Sequence, residues 1–304
     1  MSATGYEPRG TVPPDYAALC RELAFLKKRY PFIKCGSIGK SVLGKELFTL
    51  EFGSSDNKAL YAAAFHGMEW ITTLLLLNFA RDLCYAMENH TSIAGIPVYR
   101  SLLTHGICLI PCVNPDGVDI MLHGPEAAGC YAPLVQEASG GYTGAWQANA
   151  RGVDLNHNFN AGWCALKRLE NAAGITEPAP TRYGGAAPES EPESFAIASF
   201  CRRVCFRHAT AFHSQGEEIY YDYGVHTPKA SRAMAEKMAE LSGYRVSRPE
   251  GLASMGGFKD WFIDCLHRPA FTVEVGMGQN PLPAADIESI YPRLQAMLMS
   301  MILW

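Results

Sequence analysis

The stretch ALYAAAFHGMEW, residues 59–70, decides the fold of this chain. Its first seven residues form a continuous apolar run, which is expected for a strand that is buried on both faces of a sheet. The run ends at His66, where a helix is predicted to begin and to continue to about Ala86. A buried strand that leads directly into a helix indicates an α/β fold.

The same alternation of strand and helix extends in both directions from this stretch. Sequence patterns predict helices at Tyr16–Lys28 and Ser194–Cys205, and strands at Leu47–Phe52, His105–Val113, Ala209–Phe212 and Ala270–Val275. A hairpin connection is predicted at Ile38–Lys45 and a turn at Asn114–Gly117. Gly124–Gln147 and Glu177–Glu193 lack clear periodicity and are expected to be loops, the first lying over one end of the sheet.

This order predicts a mostly parallel, mixed sheet with helices on both faces. No internal repeat, flexible linker or shift in composition marks a domain boundary. We therefore expect one domain over residues 1–304, in which residues 1–35 form an N-terminal extension and a helix packed on the rest.

Composition and charge exclude several classes of protein. The 304 residues are 48% hydrophobic and 18% charged, with a formal net charge of -4, as in an ordinary globular protein. No basic face is evident, so neither nucleic acid nor an anionic membrane surface is an expected partner. The longest apolar stretch, Ile71–Ala80, is interrupted by polar residues and is too short to span a bilayer.

The N-terminus and the cysteines bear on the compartment. Residues Met1–Pro8 contain no basic segment followed by an apolar one, so no secretory signal is visible and a cytoplasmic location is expected. Without such a signal, the 10 cysteines are expected to be reduced thiols that pack as small core residues. Cys201 and Cys205 have helical spacing, but no second cysteine pair or nearby histidine completes a zinc knuckle.

His66 and Glu69 follow the buried strand and can point at one spot outside the sheet. Imidazole and carboxylate groups are ligands that zinc accepts, and a catalytic zinc ion needs three protein ligands and an open position. His213 is the best candidate for the third ligand, because it directly follows another short apolar strand and ligands gather at the carboxyl ends of strands. The sequence therefore predicts one bound zinc ion.

A histidine and a glutamate three residues apart are common by chance, so the pair needs support from its surroundings. Six of the nine histidines have no comparable setting: His90, His105, His123, His208, His226 and His267. Support comes from motifs that follow in order along the chain: NPDG at 114–117, NARGVDLNHNF at 149–159, His213-Ser214 and TVEVG at 272–276.

The order and spacing of these motifs resemble the zinc carboxypeptidase family, and the similarity runs from about Ile38 to Pro283. The resemblance implies a single domain with a mixed, twisted sheet of about eight strands flanked by helices, with zinc at the strand ends. It also implies that the chain is a zinc-dependent peptidase whose partner is a peptide substrate.

Three further residues take roles from the resemblance. Glu274 matches the catalytic carboxylate, which accepts a proton from water and returns it to the leaving amine; its alternative is a glutamate paired with a nearby cation. Asp154 matches an aspartate that orients a metal-binding histidine, with a turn or capping role as the alternative. Arg151 is the candidate cation for the oxyanion, although relatives place that cation nearer Gln147, and Arg151 could instead be a surface residue.

The chain departs from the digestive carboxypeptidases at the substrate-binding positions. His157 follows Asn156 where those enzymes have the arginine that clamps the substrate's terminal carboxylate, and imidazole cannot form the same planar fork. Leu252 lies where a mobile tyrosine is expected, so Tyr220 or Tyr221 could supply a substitute phenol.

Lys259 lies, by analogy, at the bottom of the pocket for the substrate's side chain, which would then prefer a negatively charged group. A lysine exposed to solvent is the alternative. Four strings resemble the γ-D-glutamyl-L-diamino-acid peptidase branch: ANARGVDLN at 148–156, HSQGE at 213–217, GFKDWF at 257–262 and NPLP at 280–283. That branch implies cleavage of the γ-D-glutamyl–meso-diaminopimelate bond in muropeptides recycled from the bacterial cell wall.

Two other functions remain open at this point. A general zinc carboxypeptidase that trims C-terminal residues would need another cation in place of the missing arginine, and Arg151 or His157 could serve. An inactive zinc-binding or peptide-binding scaffold on the same fold would be free to lose His66, Glu69, His213 or Glu274, all of which are present.

Overall fold

A mixed sheet of eight strands runs through the part of the chain that the structure describes, residues 12–54 and 56–304 of a computed structural model. The strands are β1 (Lys34–Lys40), β2 (Glu46–Gly53), β3 (Lys58–Ala63), β4 (Ser92–Ile93), β5 (Ile96–Pro97), β6 (Gly106–Ile110), β7 (Ala209–His213), β8 (Glu218–Tyr220), β9 (Arg245–Val246) and β10 (Ala270–Glu274). Their order in the sheet is β1-β2-β6-β3-β7-β10-β8-β9, and β4 and β5 form a separate hairpin. The four central strands β6, β3, β7 and β10 are parallel, which confirms the predicted fold class.

Helices cover both faces of this sheet. They are α1 (Tyr16–Arg29), α2 (Ile71–Asn89), α3 (Val98–Thr104), α4 (Pro115–His123), α5 (Ala132–Ser139), α6 (Trp163–Ala172), α7 (Pro192–Arg203), α8 (Ser231–Ser242), α9 (Phe258–Leu266) and α10 (Ile287–Met301). Strand β3 contributes Tyr61 to the core beneath α2 and α10, and Leu60 to the core beneath α7 and α9. Alternate side chains of one strand thus enter two different cores, which explains its continuous apolar sequence.

Helix α1 confirms the first predicted helix. Asp15 caps its N-terminus by accepting a hydrogen bond from Ala18 N at 2.7 Å, and its stripe of Leu19, Leu23 and Leu26 is buried. Residues 1–11 of the predicted N-terminal extension lie outside the described residues. Within the described part of the chain, no helix is both long and apolar enough to cross a bilayer.

The prediction that Gly124–Gln147 is a long loop is wrong. The segment contains a 3₁₀ helix at Pro125–Tyr131, which has a non-helical backbone at Gly129, followed by α5. Both elements are too short to show an apolar period, and α5 buries only Val135 among its eight residues. Together with α4 they form a small separate core.

The predicted turn at Asn114–Gly117 is instead the beginning of α4. The Asn114 side chain accepts a hydrogen bond from Gly117 N at 2.9 Å, and Pro115 occupies the first helical position. Both features are start signals of a helix. The helix expected from His66 also begins later, because a 3₁₀ turn at Gly67–Glu69 precedes α2.

The cysteines agree with the expectation of reduced thiols. All ten lie in the described part of the chain, and none of them forms a disulfide. The expectation that they pack as core residues is confirmed for four buried cysteines, Cys84, Cys108, Cys112 and Cys201. It is wrong for four exposed ones, Cys130, Cys164, Cys205 and Cys265. Cys205 is exposed, so the Cys201–Cys205 pair does not share one environment.

Candidate metal centre and substrate cavity

The parallel strands β7 and β10 bring two of the predicted residues to the same edge of the sheet. His213 is the last residue of β7, and Glu274, the last residue of β10, pairs with it in register. On the other side of β10, Glu274 is paired with Glu218 of β8. Side chains directly opposite on neighbouring strands point to the same face of a sheet. His213, Glu274 and Glu218 therefore form a row across the carboxyl ends of the central strands.

Backbone contacts hold the segment after β3, so that His66 and Glu69 lie beside His213. Ala64, at φ 49°, donates its N–H to Thr72 Oγ1 at 2.9 Å. A Cβ on Gly67 would lie 2.3 Å from the carbonyl oxygen of Gly117, so only glycine fits this close approach. The two ligands are thus carried by a segment with little freedom to move.

His66, Glu69 and His213 form one buried group. Nδ1 of His66 lies 2.9 Å from Glu69 Oε1, and Nδ1 of His213 lies 2.9 Å from Glu69 Oε2. The potential ligand atoms of the three residues lie within 4.8 Å of one another. Among the described residues, this is the one group of at least three such side chains close enough to hold a metal ion.

The donor set fits zinc. Two imidazoles and one carboxylate match the ligands of catalytic zinc sites, and tetrahedral bonds of normal length place ligand atoms about 3.4 Å apart. Burial alone would raise the pKa of Glu69, but His66 and His213 lower it to about 2. The carboxylate therefore stays ionised at neutral pH, as a metal ligand must be. These observations confirm the predicted metal ligands and the expectation of one zinc ion.

Asp154 fixes the orientation of one ligand. Nε2 of His66 donates to Asp154 Oδ1 at 3.1 Å, which leaves the lone pair of Nδ1 for the metal. Asp154 also accepts hydrogen bonds from the backbone N–H groups of Asn156 and Arg182. Burial would raise its pKa, but His66 and His157 together with the hydrogen bonds from His66 and Arg182 hold it well below its usual range. Asp154 is thus positioned to orient the His66 ring.

Glu274 has the surroundings of a proton acceptor. Its carboxyl is enclosed at the end of β10, and burial followed by the nearby charge of Glu69 raises its pKa well above the usual value. A carboxylate with a raised pKa is a stronger base. A cation held by His66, Glu69 and His213 would lower this pKa again, because it would stabilise the ionised carboxylate.

A cavity of about 750 Å³ opens beside the metal ligands. Most of the residues predicted from the sequence line it: His66, Asp154, Asn156, His157, His213, Tyr220, Lys259 and Glu274. Gln147 and Leu252, which stand where related enzymes have a cation and a tyrosine, also line it. The structure therefore brings the metal ligands and most of the predicted substrate-binding residues into one space.

Lys259 is buried in the wall of this cavity and already has partners. Its Nζ donates to the carbonyl oxygen of Asp222 at 2.7 Å and forms an ion pair with Asp260. The Lys259 side chain is only 5% exposed, which excludes the alternative of a solvated surface lysine. The wall therefore presents a cation and an anion side by side.

His157 and Asn156 are positioned by hydrogen bonds to neighbouring elements. Nδ1 of His157 lies 3.0 Å from the carbonyl oxygen of Arg182 and 3.2 Å from the buried carboxylate of Glu170 on α6. Burial lowers the pKa of His157, but Asp154 and Glu170 raise it above its usual value overall. Asn156 Oδ1 accepts from Phe258 N at 3.0 Å and so joins this segment to the start of α9.

The two tyrosines considered as substitutes differ in position. Tyr220 lines the cavity, and its hydroxyl donates to Glu218. Tyr221, the next residue along the chain, packs against the core on the other side of the sheet. Only Tyr220 is therefore placed to offer its phenol to a substrate.

Arg151 is not brought to the cavity wall. Its guanidinium lies against Tyr131, with Nε 3.3 Å from the hydroxyl, and 3.6 Å from a carboxylate oxygen of Glu191. Two other arginines, Arg182 and Arg248, do line the cavity and were not identified from the sequence. Both lie in segments without regular structure, where a single sequence offers no periodic pattern that would reveal a side chain's direction.

The comparisons with known proteins agree with this geometry. The zinc carboxypeptidase family matches residues 19–293 of the chain. Gamma-D-glutamyl-L-diamino acid endopeptidase 1 from Lysinibacillus sphaericus is 38% identical over 283 residues, covering 91% of this chain and 69% of that protein. Carboxypeptidase B from Bos taurus is 26% identical over 263 residues, covering 80% of this chain and 58% of that protein.

A solved structure shows the same fold. Bovine thrombin-activatable fibrinolysis inhibitor, in complex with tick carboxypeptidase inhibitor, matches with a TM-score of 0.74 at 21% identity, covering 96% of this chain and 98% of that chain. The family match spans most of the chain, and the ligands that zinc requires stand together at the strand ends. The chain therefore belongs to the zinc carboxypeptidase family and is a zinc metallopeptidase.

Proposed function

We propose that this peptidase hydrolyses the bond between γ-D-glutamate and meso-diaminopimelate in peptides derived from peptidoglycan. The observation that carries the proposal is the buried Lys259–Asp260 ion pair in the cavity wall beside the metal ligands. The side chain of meso-diaminopimelate ends in a carboxylate and an ammonium group on one carbon. A neighbouring cation and anion are complementary to that end.

Two further observations support the proposal. His157 occupies the position of the arginine that clamps the terminal carboxylate in digestive carboxypeptidases. The residue that usually binds an ordinary C-terminus is therefore missing. The relative from Lysinibacillus sphaericus, at 38% identity, is named as a gamma-D-glutamyl-L-diamino acid endopeptidase. Both favour a substrate whose distinguishing carboxylate lies on a side chain.

The chemistry follows from the row of residues at the strand ends. His66, Glu69 and His213 would hold the zinc ion, which would polarise the scissile carbonyl and lower the pKa of water. Glu274 accepts a proton from the water that attacks the carbonyl carbon, and it returns that proton to the nitrogen of the leaving amine as the C–N bond breaks. The products are a peptide ending in γ-D-glutamate and a diamino acid with a free amino group.

Substrate preference tests this proposal. We expect L-Ala-γ-D-Glu-meso-diaminopimelate to be cleaved with a kcat/KM at least about 10-fold above that of the same peptide with L-lysine, which lacks the distal carboxylate. Ordinary α-linked tripeptides of equal length serve as the second comparison. Preference for those peptides would support a general carboxypeptidase and reject the cell-wall substrate.

A matched pair of variants tests the role of the ion pair. In Lys259→Met the distal carboxylate loses its cation, so the preference for diaminopimelate over lysine should fall toward one. The Lys167→Met variant removes a lysine that pairs with Glu170 outside the cavity and is the control. An unchanged preference in Lys259→Met would remove the basis of the proposal.

A further inference from the structure

We propose that the guanidinium of Arg182 binds a substrate carboxylate that flanks the scissile bond. This inference rests on the proposed function and deepens it by assigning the carboxylate-binding cation that is missing where His157 stands. A γ-D-glutamyl-diamino-acid peptide has one such carboxylate on each side of that bond. The α-carboxylate of the glutamyl residue lies on the acyl side, and the α-carboxylate of the diamino acid lies on the amine side.

The first support is the pairing of the cavity's basic side chains. Arg248 forms an ion pair with Asp222 at 3.0 Å, and Lys259 forms one with Asp260. Arg182 lines the same cavity, and its guanidinium has no ion-pair partner among residues 12–54 and 56–304. Of the lysine and arginine side chains in this wall, Arg182 is therefore the one whose charge is not shared with an acidic side chain of the described residues.

The second support is the backbone of Arg182, which is fixed at both of its polar atoms. Its N–H donates to Asp154 Oδ2 at 2.8 Å, and its carbonyl oxygen accepts from His157 Nδ1 at 3.0 Å. The residue adopts φ 66°, a left-handed conformation that non-glycine residues rarely take without such contacts. Arg182 is thereby held between the residue that orients His66 and the residue that replaces the arginine clamp.

The third support is the charge of the surrounding wall. Glu250 and Glu274 also line the cavity, and a substrate with several carboxylates would be repelled by them. Arginine can bind a carboxylate through two parallel hydrogen bonds, which imidazole cannot do. Arg182 lines this wall and has no acidic partner among the described residues, so it is suited to the substrate group that His157 cannot clamp.

A coupling experiment tests the proposal. The substrates are L-Ala-γ-D-Glu-meso-diaminopimelate, the same peptide with the glutamyl α-carboxylate converted to the amide, and the same peptide with the α-carboxylate of diaminopimelate converted to the amide. The proteins are the wild type, Arg182→Gln and Arg182→Lys. For each protein, the ratio of kcat/KM between the acid and each amide is measured, because this ratio is independent of the fraction of active protein.

We expect one of the two amides to lower kcat/KM of the wild type by about 10- to 100-fold, the range for a hydrogen-bonded charge. In Arg182→Gln the acid should be cleaved more slowly by a similar factor, and the ratio for that amide should fall to about one. Arg182→Lys should give an intermediate ratio, since it keeps the charge and loses the fork. The amide that responds assigns Arg182 to the acyl or the amine side.

Arg248→Gln and Arg151→Gln are the matched controls. Each removes an arginine that already has an acidic partner, so any loss should be equal for the acid and both amides. Ratios that stay the same in Arg182→Gln as in the wild type would overturn the proposal. A fall of the ratio to about one in Arg151→Gln or Arg248→Gln, instead of in Arg182→Gln, would also overturn it. If Arg182→Gln has no measurable turnover, the ratios of Arg182→Lys decide.

Failure of the proposed function gives a different result. If the wild type cleaves ordinary peptides in preference to muropeptides, the same ratios are measured with an N-acylated dipeptide and its C-terminal amide. If Arg182→Gln no longer discriminates between the dipeptide and its amide, Arg182 binds the terminal carboxylate, and the cell-wall substrate is rejected. Retained discrimination would reject Arg182 as well.

Discussion

The two ends of strand β7 each carry a buried histidine, and only one of them belongs to the metal centre. His208 precedes the strand, donates from Nε2 to the carbonyl oxygen of Met301 at 2.8 Å, and leaves Nδ1 buried without a hydrogen-bond partner. His213 ends the strand, 2.9 Å from a carboxylate oxygen of Glu69. Burial lowers the pKa of His208 to about 4, with Arg207 nearby. Burial therefore does not by itself make a metal ligand.

The difference lies in the acidic residues that surround each end. At the carboxyl end, Glu69, Asp154 and Glu274 come from three separate segments and surround His66 and His213. At the amino end, the groups that shift the pKa of His208 are its burial, the Met301 carbonyl and the guanidinium of Arg207. A cation is thus stabilised at one end of the strand and disfavoured at the other.

Replacing His213 or His208 by glutamine should give the largest difference in zinc content and activity. His213→Gln removes a ligand, so bound zinc should be lost and kcat/KM should fall on the order of 10,000-fold, as expected when several kcal/mol of Lewis-acid stabilisation disappear. His208→Gln keeps a side-chain N–H for the Met301 carbonyl and should keep a full zinc content. Elemental analysis and an activity assay measure both. Equal zinc loss in the two variants would contradict the comparison.

Glu274→Gln should produce the next largest effect. The amide cannot accept the proton from water, so we expect kcat to fall about 1000-fold, within the range for loss of a general base. Zinc content should not change, because Glu274 is not a ligand. Steady-state kinetics on protein with a measured zinc stoichiometry gives the result. Turnover at the wild-type level would remove Glu274 from the mechanism.

Asp154→Asn should weaken the metal site without removing a ligand. The amide can no longer hold His66 as an ionised acceptor does, and loss of such a partner typically costs 10- to 100-fold in metal affinity. Competition with a coloured chelator measures that affinity. Asp116→Asn, the same change at a buried position outside the cavity, is the control. An affinity for zinc that is the same as that of the wild type would mean that Asp154 acts only as a cap.

The smallest effect on activity is expected at His208, where the readout is stability against pH. The folded-state pKa of about 4 lies below the ordinary value of 6.5, so between these values the unfolded chain binds a proton that the folded protein does not. The free energy of unfolding should therefore be complete above pH 6.5 and fall by up to about 3 kcal/mol as the pH drops through this window.

Urea unfolding of the wild type and His208→Gln at several pH values isolates this contribution. The difference between the two proteins should shrink as the pH falls from 6.5 to 4, because the other titrating groups are common to both. A constant difference would show that His208 is protonated in the folded state.

The metal centre could be predicted from the sequence because its residues follow elements with strong patterns. His66 and His213 each follow a short apolar strand, and parallel strands bring their carboxyl ends together. Glu274 carries the same signal, since it ends the apolar run of β10. The strand ends thus predicted the position of each side chain, whereas the direction of His66 depends on the backbone contacts of Ala64 and Gly67.

The cavity wall could not be predicted in the same way. Arg182 lies in a segment rich in proline and glycine, and its position depends on hydrogen bonds to Asp154 and His157, which are distant in the sequence. Arg151 shares a motif with Asp154, yet its guanidinium turns toward Glu191. Side chains on irregular segments take their direction from tertiary contacts, which no local pattern encodes.

The short helices were missed for a related reason. In α5 a single buried valine gives no repeat to detect, and the start of α4 was interpreted as a turn because asparagine, proline and glycine favour both structures. Only the residues of α4 that follow Gly117 distinguish the start of a helix from a turn.

The register of β7, β10 and β8 has a consequence for how such enzymes diversify. Adjacent strands lie about 4.8 Å apart, a spacing that backbone hydrogen bonds impose whatever the side chains are. The separation between His213 at the end of β7 and Glu274 at the end of β10 is therefore set by the backbone of the sheet. Mutations can change the surrounding loops, and with them the substrate specificity, while the separation between these two side chains stays constant.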